Sequence, residues 1–209
     1  MTTNARERDT TLKQISDAEL DNPFNVLIAT ILSQRNRDER TEVTSKQLFQ
    51  TYKTAHELAE ASESDISRII RPVNFYITKA RRIKEVAKII CKEYGGQVPN
   101  SLEKLMELPG VGRKTANCVL VYGHGKPAIP VDTHVHRICN RLGLVDTRKP
   151  EETETALIRI VPKRHWLDLN EYFVRFGQTI CKPIGPRCDV CLLAPECKFY
   201  KSRKVAVAS

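Results

Sequence analysis

Apolar residues recur along most of this chain at i, i+3, i+4 and i+7, the spacing that lines one face of a helix. Phe24, Leu27, Ile28, Ile31 and Leu32 form one such stripe behind an Asp21-Asn22-Pro23 start signal. From Ala80 through Ile83, Ala87, Ile90 and Cys91 to Tyr94 one face stays apolar for about four turns, and Gly95-Gly96 ends it. Val135, Ile138, Cys139 and Leu142 repeat the pattern behind Asp132, with Gly143 as the stop, and Trp166, Leu169, Phe173, Phe176 and Ile180 form a further stripe. Shorter helices are predicted at 41–52, 54–61, 64–70, 101–107, 113–123 and 150–161, with Ser64 and Ser101 as caps and Pro72 and Pro162 as terminators. Period-two alternation is almost absent. The pattern predicts an all-α chain of many short helices and no sheet.

The 209 residues suffice for one large domain or two small ones, and no apolar run approaches the length that spans a bilayer. The polar N-terminus carries no apolar stretch of the kind a secretion signal needs, so a cytoplasmic protein is expected. Thirty-four Lys and Arg against 25 acidic residues leave a net charge of +9, which favours an anionic partner such as nucleic acid. Lys79, Arg81, Arg82, Lys84, Lys88 and Lys92 crowd into 14 residues, and with Arg81, Lys84, Lys88 and Lys92 opposite the apolar stripe they read as a solvated face. After Thr179 the sequence turns rich in Cys, Pro and Lys, so the last thirty residues read as a loop ordered by something other than an apolar core.

Between two helical patterns lies Leu108-Pro109-Gly110-Val111-Gly112-Arg113-Lys114-Thr115-Ala116-Asn117. Pro109 ends one helix, and Gly110 and Gly112 bring bare backbone close to whatever meets the start of the next. Such a turn serves either a plain helix connection or a phosphate-binding hairpin, and Arg113, Lys114 and the positive balance favour phosphate. Phosphate contacts position a duplex without reading its sequence. Lys114 falls in the first helical turn, the unfavourable end of the dipole for an ammonium. An ordinary lysine is neutral only about one part in ~2,500 at pH 7, so a device that destabilises the cation supplies free amine, a nucleophile. A lysine that merely lies beside a DNA backbone would look the same. Asp132 is placed as the cap of the next helix; a carboxylate there can also face a developing cation or accept a proton.

Seven cysteines fall into two groups. Cys91, Cys118 and Cys139 sit on or beside apolar helix faces and read as core residues. Cys181, Cys188, Cys191 and Cys197 share 17 residues with Pro183, Gly185, Pro186 and Pro195, which deny the segment regular structure. Four soft ligands in one loop hold either a tetrahedral zinc or an iron–sulfur cluster, and the single C-x2-C pair leans toward the cluster. Lys182 and Arg187, inside the first loop, offer a second place for phosphate. His134 and His136 do not share a helical face, so they make a poor metal pair. The polar run Ser33-Gln34-Arg35-Asn36-Arg37-Asp38 either enters a DNA stack or turns a corner.

Taken together, hairpin, lysine, aspartate and cysteine loop resemble the helix-hairpin-helix DNA glycosylase superfamily over about residues 20 to 200. The resemblance implies two helical domains with DNA in the groove between them, one over 21–129 and one formed by 1–20 with 130–209. It implies Lys114 as the nucleophile that attacks C1′ of a flipped-out damaged nucleotide and forms a Schiff base, with Asp132 assisting. It implies a four-iron–four-sulfur cluster on the four clustered cysteines, and a monomeric enzyme acting on double-stranded DNA with damaged bases or abasic sites. Adenine-excising members carry Glu where this chain has Ala29, and thymine-mismatch members carry Tyr where it has Lys114. Both departures favour the oxidised-pyrimidine class. The family's glutamine wedge aligns with Arg35, with Gln34 just before it, and Phe75 occupies the place of the apolar wedge. Gly110, Val111, Gly112 and Arg113 complete the expected DNA contacts.

Overall fold

The computed structural model describes residues 22–36 and 38–208. These form helices α1 (Pro23–Ser33), α2 (Asp38–Thr51), α3 (Ala55–Glu60), α4 (Glu63–Ile69), α5 (Tyr76–Tyr94), α6 (Leu102–Met106), α7 (Arg113–Cys118), α8 (Thr133–Leu142), α9 (Pro150–Ile160), α10 (Trp166–Thr179) and α11 (Lys198–Ala208). No strand occurs among the described residues, as the periodicity predicts. None of the helices is long and apolar enough to cross a membrane. The chain separates into two compact units, one running up to Ala128 and one from Ile129 onward. The N-terminal helix expected within 1–20 lies outside the described residues, as does Arg37.

Helix α1 is the axis of the first unit. Phe24 through Leu32 are buried without a break, so the stripe read from the sequence understates it: the polar side is covered as well. Asn22 Oδ1 caps the helix by accepting the Phe24 N–H at 3.1 Å, and the buried Thr30 hydroxyl donates to Val26 O at 2.7 Å, which satisfies the one hydroxyl on that face. Helix α7 passes after Cys118 into a π-helical turn over Val119–Gly123, where the extra residue per turn departs from the straight helix expected through 113–123. Gly123 lies against α1; a Cβ there would come within 3.1 Å of Pro23 Cα.

Other boundaries differ from expectation for local reasons. Ser62, not Ser64, caps α4: its backbone is extended and its hydroxyl accepts the Asp65 N–H, while Ser64 is already inside the first turn. Ser101 caps α6 as predicted, and Gly95 and Gly143 end α5 and α8 in left-handed conformation. Helix α5 starts at Tyr76, earlier than its apolar stripe. The last thirty residues are not all loop. They end in α11, whose apolar residues form no single stripe for the periodicity to reveal.

The core of the second unit is small: Ile129, Val131, Val135, Cys139, Leu157 and Leu169, with Trp166 and Phe173 packed on it. Burial pushes the Cys139 thiol up to about 12, so it is an inert core group, and Cys118 is likewise buried. Cys91 is only half-buried, since it lies at the edge of the α5 stripe.

Candidate functional site

Two places concentrate chemistry in the first unit, and they adjoin. The hairpin joins α6 to α7. Gly110 takes φ +74, a left-handed value that glycine adopts without strain, and a Cβ on it would run into the side chain of Arg82. Val111 is a core residue, and its N–H is spent on Leu108 O at 3.1 Å. Gly112 is the N-cap of α7 without a side-chain cap, and its carbonyl accepts from Ala116 N at 2.9 Å. Arg113 and Lys114 follow as the first two helical residues, both half-buried, which places Lys114 in the first turn after the hairpin.

The turn after α1 is fastened to this hairpin. Gln34 Nε2 donates to Gly110 O at 3.0 Å and to Thr115 Oγ1 at 3.4 Å, so the Gln34 amide is occupied within the protein. Arg35 is exposed and left-handed, φ 54, and Phe75 is 62 % exposed and left-handed, φ 58. They are the only non-glycine residues among those described with positive φ, a conformation that costs on the order of 1–3 kcal/mol each. Both line one cavity of about 280 Å³ with Gln34, Thr78, Lys79 and Arg82.

Lys79 corrects the reading of a solvated basic face. It is 3 % exposed, and its ammonium donates to Leu32 O at 2.6 Å and Gln34 O at 2.8 Å, at the negative end of α1. Burial, and then the Arg82 guanidinium, lower its pKa from 10.5 to about 8. Sequence reasoning also missed Arg82 and Asn74. The i, i+3 spacing of Lys79 and Arg82 within the charge run was the signal available, since it puts both on one side of α5.

In the second unit Asp132 is extended and caps α8: its Oδ1 accepts the His134 N–H at 2.8 Å and the Val135 N–H at 2.9 Å. Both bonds use one oxygen, so capping leaves Oδ2 for a second role. The same helix carries the fastening of the cysteine loop. Arg137 Nη2 donates to Cys181 O at 2.9 Å, and Arg141 donates to Lys182 O at 2.7 Å and Pro183 O at 2.8 Å. The Arg141 Nη1 also lies 3.5 Å from Cys181 Sγ, while its guanidinium stacks 4.5 Å from the centre of the Phe199 ring. Cys197 Sγ donates back to Arg141 O at 3.3 Å.

Cys181, Cys188, Cys191 and Cys197 line a single cavity with apolar walls from Leu142, Phe176, Ile180 and Phe199. Burial pushes the Cys188 thiol up; Arg203 pulls it down, and the other three cysteines add to the rise. No three His, Cys, Asp or Glu among the described residues are gathered as one metal ion would need. Lys182 and Arg187 are exposed on the loop. His136 is bound to the Thr153 hydroxyl at 2.7 Å and His134 to Arg137 at 3.1 Å, so each has a structural partner.

Residues 28–163 match the model of the HhH-GPD superfamily base excision DNA repair proteins. Over 181 residues the chain is 55 % identical to endonuclease III of Thermotoga maritima, covering 87 % of this chain and 85 % of that protein. The chain belongs to the endonuclease III family of the HhH-GPD superfamily. Endonuclease III homolog 2, chloroplastic, of Arabidopsis thaliana is 45 % identical over 183 residues; the match takes in 83 % of this chain and about half of that longer protein, 47 %. A solved endonuclease III, trapped as a covalent intermediate with DNA, superposes with a TM-score of 0.83 at 37 % identity, covering 93 % of each chain. The helical fold and the hairpin described above are those of this family.

Proposed function

We propose that Lys114 is the nucleophile and Asp132 the assisting carboxylate of this base-excision-repair enzyme. The enzyme is a bifunctional DNA glycosylase and abasic-site lyase of the oxidised-pyrimidine class. The observation that carries the residue assignment is the start of α7: an amine in the first turn, directly after a glycine hairpin that Gln34 holds in place.

In this reading a damaged nucleotide leaves the stack, at a cost of a few kcal/mol that is smallest at weakened pairs. The Lys114 amine attacks C1′. The C1′–N bond breaks and the base departs with the electron pair and takes up a proton; the lysine nitrogen then gives up one proton, O4′ gains one as the C1′–O4′ bond breaks, and the opened sugar is left as the protonated Schiff base. Loss of a C2′ proton then expels the 3′ phosphate and cuts the strand. Asp132 Oδ2 faces the cationic character that grows on the sugar as the base leaves. Arg35 fills the gap left by the flipped base and Phe75 enters beside it, both exposed at the rim of one cavity, whereas Gln34 serves the protein's own hairpin. Gly110, Gly112 and Arg113 grip phosphate, with Val111 contributing shape through its backbone. Lys182 and Arg187 touch the backbone further along. The protein works as a monomer on chromosomal DNA in the cytoplasm.

Cys181, Cys188, Cys191 and Cys197 would hold a four-iron–four-sulfur cluster. Four thiols around one cavity, spaced with a single C-x2-C pair, fit such a cluster. When bound, the cluster supplies iron–thiolate cross-links and a one-electron redox centre. Arg137 and Arg141 orient the loop around it from α8.

Borohydride trapping tests the assignment. Incubated with thymine-glycol or abasic DNA and borohydride, the wild-type chain is expected to form a covalent adduct and Lys114→Gln none. An adduct that survives Lys114→Gln refutes Lys114 as the nucleophile.

A further inference from the structure

Arg35 and Phe75, the two strained residues, belong to segments distant in sequence, and three hydrogen bonds fasten those segments together. Lys79 Nζ donates to Leu32 O at 2.6 Å and to Gln34 O at 2.8 Å, and Asn74 Nδ2 donates to Arg35 O at 2.7 Å. Phe75 sits between the two donors, as the left-handed residue that opens α5. Lys79 is almost completely buried, an expensive place for an ammonium that solvent exposure would avoid. A buried cation spent on two carbonyls of the turn that precedes and includes Gln34 fixes where the next residue, Arg35, leaves the protein.

We propose that Lys79 and Asn74 are positioning residues that hold Arg35 and Phe75 in their left-handed, exposed conformations before DNA arrives, so that the pair enters the stack already ordered. The inference rests on the reading of Arg35 and Phe75 as the residues that fill the gap. Without the clamp, both relax toward ordinary backbone angles, and the ordering must occur at the moment the base flips, which lowers the population of the flipped state. Neither Lys79 nor Asn74 touches the reacting atoms; they act through Arg35 and Phe75.

The test uses the full chain and a duplex in which a tetrahydrofuran abasic analogue faces 2-aminopurine, whose fluorescence rises when it is unstacked. Arg35→Ala and Phe75→Ala are expected to reduce the rise. Lys79→Met is expected to lower the equilibrium constant for the fluorescent state about tenfold, and Asn74→Ala, which removes a neutral bond, about threefold. Because the effect runs through Arg35 and Phe75, adding either substitution to the Arg35→Ala/Phe75→Ala variant lowers the signal no further; a general loss of stability would lower it additively. A wild-type signal from both Arg35→Ala and Phe75→Ala overturns the wedge reading and this inference with it. A loss in those variants alongside wild-type behaviour of Lys79→Met and Asn74→Ala, or additive losses when either is added to Arg35→Ala/Phe75→Ala, overturns the clamp alone. Should Lys79→Met fail to fold, Asn74→Ala, alone and added to Arg35→Ala/Phe75→Ala, decides the question by the same criteria.

Discussion

Asp132 is assigned two duties, and two substitutions separate them. Its Oδ1 satisfies two N–H groups at the start of α8, at 2.8 and 2.9 Å. Ala removes both bonds, a loss of about 0.5–2 kcal/mol for a capping residue. Asn keeps an oxygen acceptor there and gives up only the favourable interaction of the charge with the helix start, about 0.3–1 kcal/mol. In a protein of this size each kcal/mol shifts the melting temperature by about 2–4 °C. Asp132→Ala is therefore expected to melt a few degrees below the wild type in the transition of the second unit, and Asp132→Asn within about 1–4 °C of it. Both lose the negative charge, so single-turnover excision of thymine glycol falls about 10²-fold or more in each. The pattern to look for is equal catalytic loss with unequal stability loss. An Asp132→Asn enzyme that excises at the wild-type rate refutes the chemical duty. One that melts as low as Asp132→Ala refutes the division of labour between the two oxygens.

Two further outcomes follow from the burial of Lys79 and the cysteine loop. With a folded pKa of about 8 against 10.5, Lys79 releases its proton in the folded chain while the unfolded chain still holds one. Between those values its contribution to stability rises with pH, so the wild type gains on Lys79→Met by up to about 3 kcal/mol across that window. Urea unfolding of both proteins near pH 7.5 and pH 10 measures this, and parallel profiles contradict it. Cys197→Ser is expected to yield a pale protein in place of a brown one. A structural metal site supplies on the order of 10 kcal/mol, comparable to the whole margin of a small domain, so the cooperative transition of the second unit is expected to vanish while that of the first persists. A colourless wild type, or a variant with an unchanged melt, removes the case for the cluster.

Much of the molecule was legible from residues within four positions of one another. The helical periodicities, the caps at Asn22, Ser101 and Asp132, the glycine stops at Gly95 and Gly143, the hairpin and the run of four cysteines are local signals, because a helix closes its hydrogen bonds over four residues and a cap or stop acts within one turn. The same locality explains the errors at Ser64, where two candidate caps stood two residues apart, and at α11, where the apolar residues form no single stripe.

What the sequence left undecided was which polar side chains turn inward. Lys79 belongs to a run of positive charge, yet it is buried against carbonyls 45 and 47 residues away. Gln34 reaches a carbonyl 76 residues along the chain, and Arg141 one that lies 41 residues on. Periodicity reports that one face of a helix is apolar; it carries no information about what packs against the other. Only the folded chain brings lone carbonyls at a helix end within reach of an ammonium, because those carbonyls become unsatisfied acceptors once water is excluded from around them.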